Sequence, residues 1–246
     1  MTSEALGFDP FIARYRYPGR GIALGRDVQG IGFAAYWLTG RSAESRDRRI
    51  LVDADTLAVS DIASAQSDPL RHYTAIVALT DRIVVGNGTQ VSEVTADLGQ
   101  EVTAWEALSK LAYEPDPPIL TPRITAIATV AGNEMVDVIL CGAVAHPRWP
   151  NMAQHNMFHT GHFEPGQSHA MTTYAGDTSV VSTSGQPWAV EIDTVWQELH
   201  KRIWANLDPA LRVAAAVVPI GGDLRDGRFI GAADPIVHAG TRPSTT

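Results

Sequence analysis

Tyr73-Thr74-Ala75-Ile76-Val77-Ala78-Leu79-Thr80-Asp81-Arg82-Ile83-Val84-Val85-Gly86 opens the stretch that decides the fold, and Ile124-Thr125-Ala126-Ile127-Ala128-Thr129-Val130 with the run 136–144 closes it. All four runs are β-branched, apolar and bounded by Gly, Asp or Pro, which reads as strands. Between them stand two patterns of helical spacing, Val91, Val94, Leu98 and then Val102, Trp105, Leu108, Ala112, with Gly99 placed to end the first. Two strands, two adjacent one-sided helices and two more strands are a clustered order. A doubly wound parallel sheet alternates strictly, so the expectation is α+β, with helices outside layered sheets.

Outward from that stretch, further short apolar runs at 21–25, 32–38, 49–52, 170–174, 188–192 and 213–218 read as strands. A third helix follows from Val195, Leu199, Ile203 and Leu207, with Asp193 as candidate N-cap and Pro209 as the stop. The borders drawn are an N-terminal extension over 1–16, a single domain over 17–225 and a tail over 226–246. The 246 residues, 45% of them apolar, suit one large core.

The chain is acidic, with 27 Asp and Glu against 19 Lys and Arg and a net charge of -8. It nevertheless gathers Arg20, Arg26, Arg41, Arg46, Arg48 and Arg49 near its start, which points to a local anion site. A nucleic-acid surface would need a basic face, so none is expected. The single Cys141 sits in an apolar run and cannot build a disulfide framework or a cysteine metal cluster. With no signal-like start and no apolar run near the roughly 20 residues that span a bilayer, the expectation is a cytoplasmic protein without a membrane partner.

Several motifs compete for the chemistry. Gly19-Arg20-Gly21-Ile22-Ala23-Leu24-Gly25 suggests a dinucleotide turn, but Leu24 stands where its third glycine belongs. His155, His159 and His162, with Glu164 after them, have zinc-like spacing on a helix; Gly161 and Pro165 argue against that helix, and an extended chain puts only His155 and His159 on one face. No metal is expected. Thr2 as an N-terminal nucleophile lies far before the first strand. More specific is Tyr113-Glu114 at the end of the second helix. A loop stiffened by Pro115, Pro117 and Pro118 then returns Thr121-Pro122-Arg123 to the next strand, pairing a carboxylate with an anion-binding group.

The ordered set Tyr17-x-Gly19-Arg20, Gly25-Arg26, Gly40-Arg41-Ser42, Arg46, Asp68-Pro69 with Tyr73, Val85-Gly86-Asn87-Gly88, Tyr113-Glu114, Thr121-Pro122-Arg123 and Thr172-Thr173-Tyr174 resembles the archaeal-type IMP cyclohydrolase family over roughly residues 17–180. The resemblance implies a four-layer αββα sandwich like that of N-terminal nucleophile hydrolases, without their nucleophile. It implies closure of 5-formamidoimidazole-4-carboxamide ribonucleotide to inosine monophosphate and water, with no cofactor. Tyr73, Glu114 and Arg46 would be catalytic, and Arg20, Arg41, Ser42, Asn87, Gly88, Thr121, Arg123, Thr173 and Tyr174 would bind the purine ribonucleotide. Leu120 departs from the asparagine common before the family's Thr-Pro-Arg. A paralogue closing another azole nucleotide, an amidohydrolase, a nucleotide sensor and a homo-oligomer all stay open.

Overall fold

A computed structural model describes residues 5–62, 68, 70–179 and 181–238. Thr2, Pro69 and the tail from 239 onward lie outside the described residues. In chain order the elements are β1 (Leu6–Gly7), α1 (Phe8–Ala13), β2 (Arg20–Arg26), β3 (Gly32–Thr39), α2 (Ala43–Arg46), β4 (Arg48–Val52), β5 (Thr56–Asp61), β6 (Tyr73–Ala78), β7 (Arg82–Gly86), α3 (Gln90–Leu98) and α4 (Ala104–Ser109). Then follow β8 (Arg123–Ala131), β9 (Glu134–Ala145), β10 (Ala153–Thr160), β11 (Gln167–Thr172), β12 (Trp188–Glu191), α5 (Trp196–Asn206), β13 (Arg212–Pro219), β14 (Arg228–Gly231) and β15 (Ile236–Val237).

The architecture is α+β with two mixed sheets. One runs β1-β12-β11-β2-β3-β13-β14 and the other β10-β9-β8-β7-β6-β5-β4-β15. The pairs β1 with β12 and β15 with β4 are parallel, and the rest of the described ladders are antiparallel.

Strand alternation sorts the side chains into three apolar layers. Ile22, Leu24, Tyr36 and Leu38 of the first sheet meet Ile50, Leu57, Ile76, Val85 and Ile124 of the second, so the two sheets pack face to face. The opposite parity of the first sheet, Ala23, Phe33, Ala35 and Trp37, packs on α1 and α5 through Phe8, Phe11, Leu199 and Ile203. The opposite parity of the second, Val84, Ile127, Ile139 and Cys141, packs on α3 and α4 through Val91, Val94, Leu98 and Leu108. A strand buried on both faces needs no polar alternation, and every residue of β3 is buried.

Local structure departs from the sequence reading in instructive places. Asp193 does not cap α5; its carboxylate pairs with Arg202. Asp27 of the β2–β3 turn caps it instead, accepting from Trp196 N at 3.0 Å with Oδ2 while Oδ1 accepts from the amides of Gln29 and Ile31 at 2.9 Å. Trp105, expected on the buried stripe, is 48% exposed; α4 turns Ala107 and Leu108 inward and begins with a capping box between Thr103 and Glu106. The helix stops at Ser109, so Glu114 stands in a loop rather than at a helix end. Strand β10 and helix α1 carry little apolar periodicity, and β5 alternates over only the short run Leu57-Ala58-Val59, so the sequence does not announce these three elements. Beyond the borders drawn at 16 and 226, β1, α1, β14 and β15 are paired or packed into the domain.

Candidate functional site

Arg20 begins β2, and its guanidinium turns into a buried polar knot at one end of the sandwich. Nη2 donates to Glu114 Oε2 at 2.9 Å and Nη1 to the Asn87 carbonyl at 3.0 Å. Asn87 is fully buried: Nδ2 donates to Glu114 Oε1 at 3.3 Å and to the Pro122 carbonyl at 2.9 Å, while Oδ1 accepts from Gln90 Nε2 at 2.8 Å and Ile124 N at 2.7 Å. Every polar atom of the Asn87 amide is thereby engaged, which fixes the plane against which Glu114 lies.

The loop after α4 delivers Glu114. Glu114 N donates to the Thr121 carbonyl at 2.8 Å, and Asp116 accepts from Thr121 N at 2.7 Å and Thr121 Oγ1 at 2.5 Å. The Thr121 hydroxyl also meets the Tyr174 hydroxyl at 2.6 Å, and Tyr174 stacks on Tyr17 with ring centroids 5.3 Å apart. Leu120 holds φ +54° in this loop. That left-handed backbone suits asparagine better than leucine, which gives a physical reason for the family residue Leu120 replaces. Gly19, at φ +70°, has no room for a side chain: a Cβ would lie 2.2 Å from Thr173 Oγ1, the atom that accepts from Arg20 N at 3.0 Å.

Two adjoining clefts share Glu114 and Leu70. The first, about 170 Å³, is lined by Tyr17, Arg20, Thr39, Arg48, Asp116, Thr121 and Tyr174 among others. The second, about 310 Å³, is bounded by Asp68, Gly88, Thr89, Pro115 and Arg123. Gly88 lets the second cleft reach the carboxylate, because a Cβ there would stand 3.2 Å from Glu114 Oε1 and 2.8 Å from Gln90 Oε1. Arg123 donates from Nη2 to Thr89 Oγ1 at 3.3 Å, and its buried Nε has no partner among the described residues.

Electrostatics follow from burial. Desolvation raises the Glu114 carboxyl above its ordinary 4.5, outweighing the attraction of Arg20. Burial also opposes the charge of Arg20, but Glu114, Tyr73 and Tyr174 around it keep the guanidinium protonated. Desolvation raises the phenols of Tyr17 and Tyr174 likewise. Behind Arg20, Tyr36 and Tyr73 share a hydroxyl–hydroxyl hydrogen bond of 2.6 Å, with the fully buried Tyr36 pushed well above its usual range by desolvation and by Tyr73. A base biased toward neutrality, fixed cations and neutral phenols together suit proton transfer at a bound anion.

The structure thus brings Arg20, Asn87, Gly88, Glu114, Thr121, Arg123, Thr173 and Tyr174 together, with Tyr73 behind them. It keeps Arg41, Ser42 and Arg46 on an exposed rim. There Ser42 caps α2, and Arg46 Nη1 donates to the Arg41 carbonyl at 3.3 Å. Arg48 was missing from the expected site set. It points into the first cleft with Ile50 and Val52 on the buried face of β4, and the alternation Arg48-x-Ile50-x-Val52 was the signal for it. Arg71, which also lines the first cleft and pairs with Asp61, and Asp116 carry no local signal.

The histidines lie elsewhere, on and just beyond strand β10. His155 Nε2 lies 2.8 Å from the Leu111 carbonyl, His159 Nε2 2.6 Å from Asp137 Oδ1 and His162 Nε2 3.1 Å from Glu164 Oε1. Among the described residues, no three His, Cys, Asp or Glu side chains converge as a metal would require. No described helix is long and apolar enough to cross a membrane.

Residues 17–223 match the model of a family described as IMP cyclohydrolase-like protein. Over 115 residues the chain is 32% identical to the IMP cyclohydrolase of Methanocaldococcus jannaschii, a match covering 45% of this chain and 56% of that protein.

Proposed function

We propose that this chain, which belongs to the IMP cyclohydrolase-like protein family, closes the purine ring of 5-formamidoimidazole-4-carboxamide ribonucleotide to give inosine monophosphate and water. One observation carries the reading: a desolvated carboxylate, Glu114, is fixed by Arg20 and Asn87 where two clefts meet. The accompanying fold is a four-layer αββα sandwich resembling N-terminal nucleophile hydrolases, supported by the facing sheets and their outer helices.

In the reaction the carboxamide nitrogen bonds to the formyl carbon. Glu114 accepts the proton that this nitrogen loses, and its raised pKa improves it as a base near neutrality. The formyl oxygen gains a proton from Tyr73, held by Tyr36, and becomes a hydroxyl. That hydroxyl leaves as water with the proton of the former formamide nitrogen, and the ring C=N bond forms. Arg20 and Arg48 stabilise the developing oxyanion from the first cleft, adding to the electrostatic support for which the resemblance names Arg46; Arg46 and Arg41 meet the nucleotide from the rim. Arg123, with its unpartnered Nε, together with Gly88 and Thr89 takes the ribose phosphate in the second cleft. Thr121 and Tyr174 orient the base from the first cleft, with Ser42 at the rim, while Asn87 and Thr173, buried and bonded within the protein, hold Glu114 and Arg20 in place. The attack is intramolecular, so holding the two groups in contact supplies much of the acceleration. The chemistry is acid–base and electrostatic; neither cofactor nor metal enters this reading, and the enzyme belongs in the cytoplasm.

Incubation with the formamido ribonucleotide should produce the purine chromophore, with the rate unaffected by chelator. Tight binding without turnover above the buffer rate would make the protein a nucleotide binder instead. Turnover of another azole nucleotide alone would make it a paralogue.

A further inference from the structure

The two sheets present four edges among the described residues, and they are unequal. Three are short: β1 and β15 have 2 residues each and β14 has 4. The fourth, β10, has 8 residues, Ala153-Gln154-His155-Asn156-Met157-Phe158-His159-Thr160, and pairs only with β9. A long edge strand offers a row of unpaired N–H and C=O groups, and proteins guard such edges with Lys, Pro, bulges or inward charges. None of these guards is present: 153–160 holds no Lys, Arg, Asp, Glu or Pro, and its ladder to β9 runs without a register shift.

Exposed apolar side chains gather around both ends of this strand. Trp149 and Met152, 50% and 52% exposed, stand just before it, and the Met152 amide donates to the Trp149 carbonyl. Val136, 46% exposed, lies on β9 just beyond the Val138–Thr160 pair. Trp105 of α4, 48% exposed, places its ring 6.1 Å from that of His159. Exposed apolar side chains at both ends of an open edge favour association there.

We propose that β10 is the dimer interface of this protein, pairing antiparallel with β10 of a second copy to join two second sheets into one. Self-pairing follows from symmetry. A two-fold axis through Met157 places residues of like parity opposite each other, so both copies keep the same face toward their cores. That register sets 154–160 of one copy against 160–154 of the other, so all but one residue of the strand gains a partner. It also lays Met152 beside the opposite end of the partner strand, covering apolar surface that the single chain leaves in water. The polar knot around Glu114 is built within one chain, so the interface is separate from the candidate site.

Sedimentation and light scattering of the full chain should give twice the 26.5 kDa chain mass. The double variant Met152→Glu, Gln154→Lys puts charge on the edge without touching the clefts. It should halve the mass while leaving the far-ultraviolet spectrum and melting temperature in place. Hydrogen exchange of the unmodified protein supplies an independent readout, in which the alternate amides of 154–160 that point away from β9 should lose protection on dilution. A monomer at every concentration overturns the proposal. So does a dimer whose mass ignores the double variant, or whose β10 amides exchange equally fast at high and low concentration.

Discussion

The knot of Arg20, Asn87 and Glu114 and the histidine strand β10 both present titratable side chains, yet they are built in opposite ways. Glu114 and Asn87 are buried, and each polar group answers another from a distant part of the chain. On and beside β10, His159 and His162 are exposed and each meets a single neighbouring carboxylate. Desolvation magnifies every charge in the first region, whereas water and ions screen the second. Residue type alone does not make a reactive site; exclusion of water around a fixed network does.

The strongest way to break this comparison is Glu114→Gln. It keeps the shape but turns one accepting oxygen, facing Arg20 or Asn87, into an NH2 and removes the base, so turnover should fall by about 10²–10⁴ while product binding survives. The unmodified enzyme tests the same point through pH. A base acts as the carboxylate, and burial raises the Glu114 pKa, so activity falls as pH drops through a value above 4.5. An acid limb at or below 4.5, or a variant that binds poorly but turns over normally, would make Glu114 a positioning residue.

Next comes Arg20→Ala, which leaves Glu114 Oε2 and the Asn87 carbonyl buried without their guanidinium donor. Loss of one partner of a buried pair should cost about 3–5 kcal/mol in denaturant unfolding. A loss below about 1 kcal/mol would mean that water reaches the knot and the burial argument fails.

A smaller effect sharpens the account of the loop that carries Glu114. Leu120→Asn places a residue tolerant of left-handed backbone at φ +54° and should stabilise the fold by about 1 kcal/mol, read as a higher melting temperature. A lower melting temperature would show that Leu120 earns its place by packing.

Smallest is His159→Ala, which removes an exposed pair with Asp137. The expected change is under about 0.5 kcal/mol in stability, with turnover unaltered. Loss of activity together with stoichiometric bound zinc would turn the second region into a metal site and reverse the comparison.

Much of the architecture was legible because it repeats at short range. Apolar runs gave β2–β4, β6–β9, part of β11, β12 and β13, and the 3.6-residue spacing gave α3, α4 and α5. Strand β10 escaped because it is an edge with few apolar side chains, and α1 because six residues show less than two turns of periodicity. At the site, the motif order singled out Arg20, Asn87, Glu114 and Arg123, and alternation on β4 could have added Arg48.

By itself, then, the sequence determined the α+β class, the family resemblance and the residues able to do acid–base and anion chemistry, since composition, periodicity and motif order are properties of the chain. Only the tertiary structure decided which of them act together. Asp27 caps a helix 169 residues away and Arg20 meets Glu114 across 94, while Arg46, near Arg48 in sequence, remains in water. Such partners share no local period, because they are chosen by the packing of two sheets. Packing also decides which charges lose their water and so acquire unusual affinity for a proton.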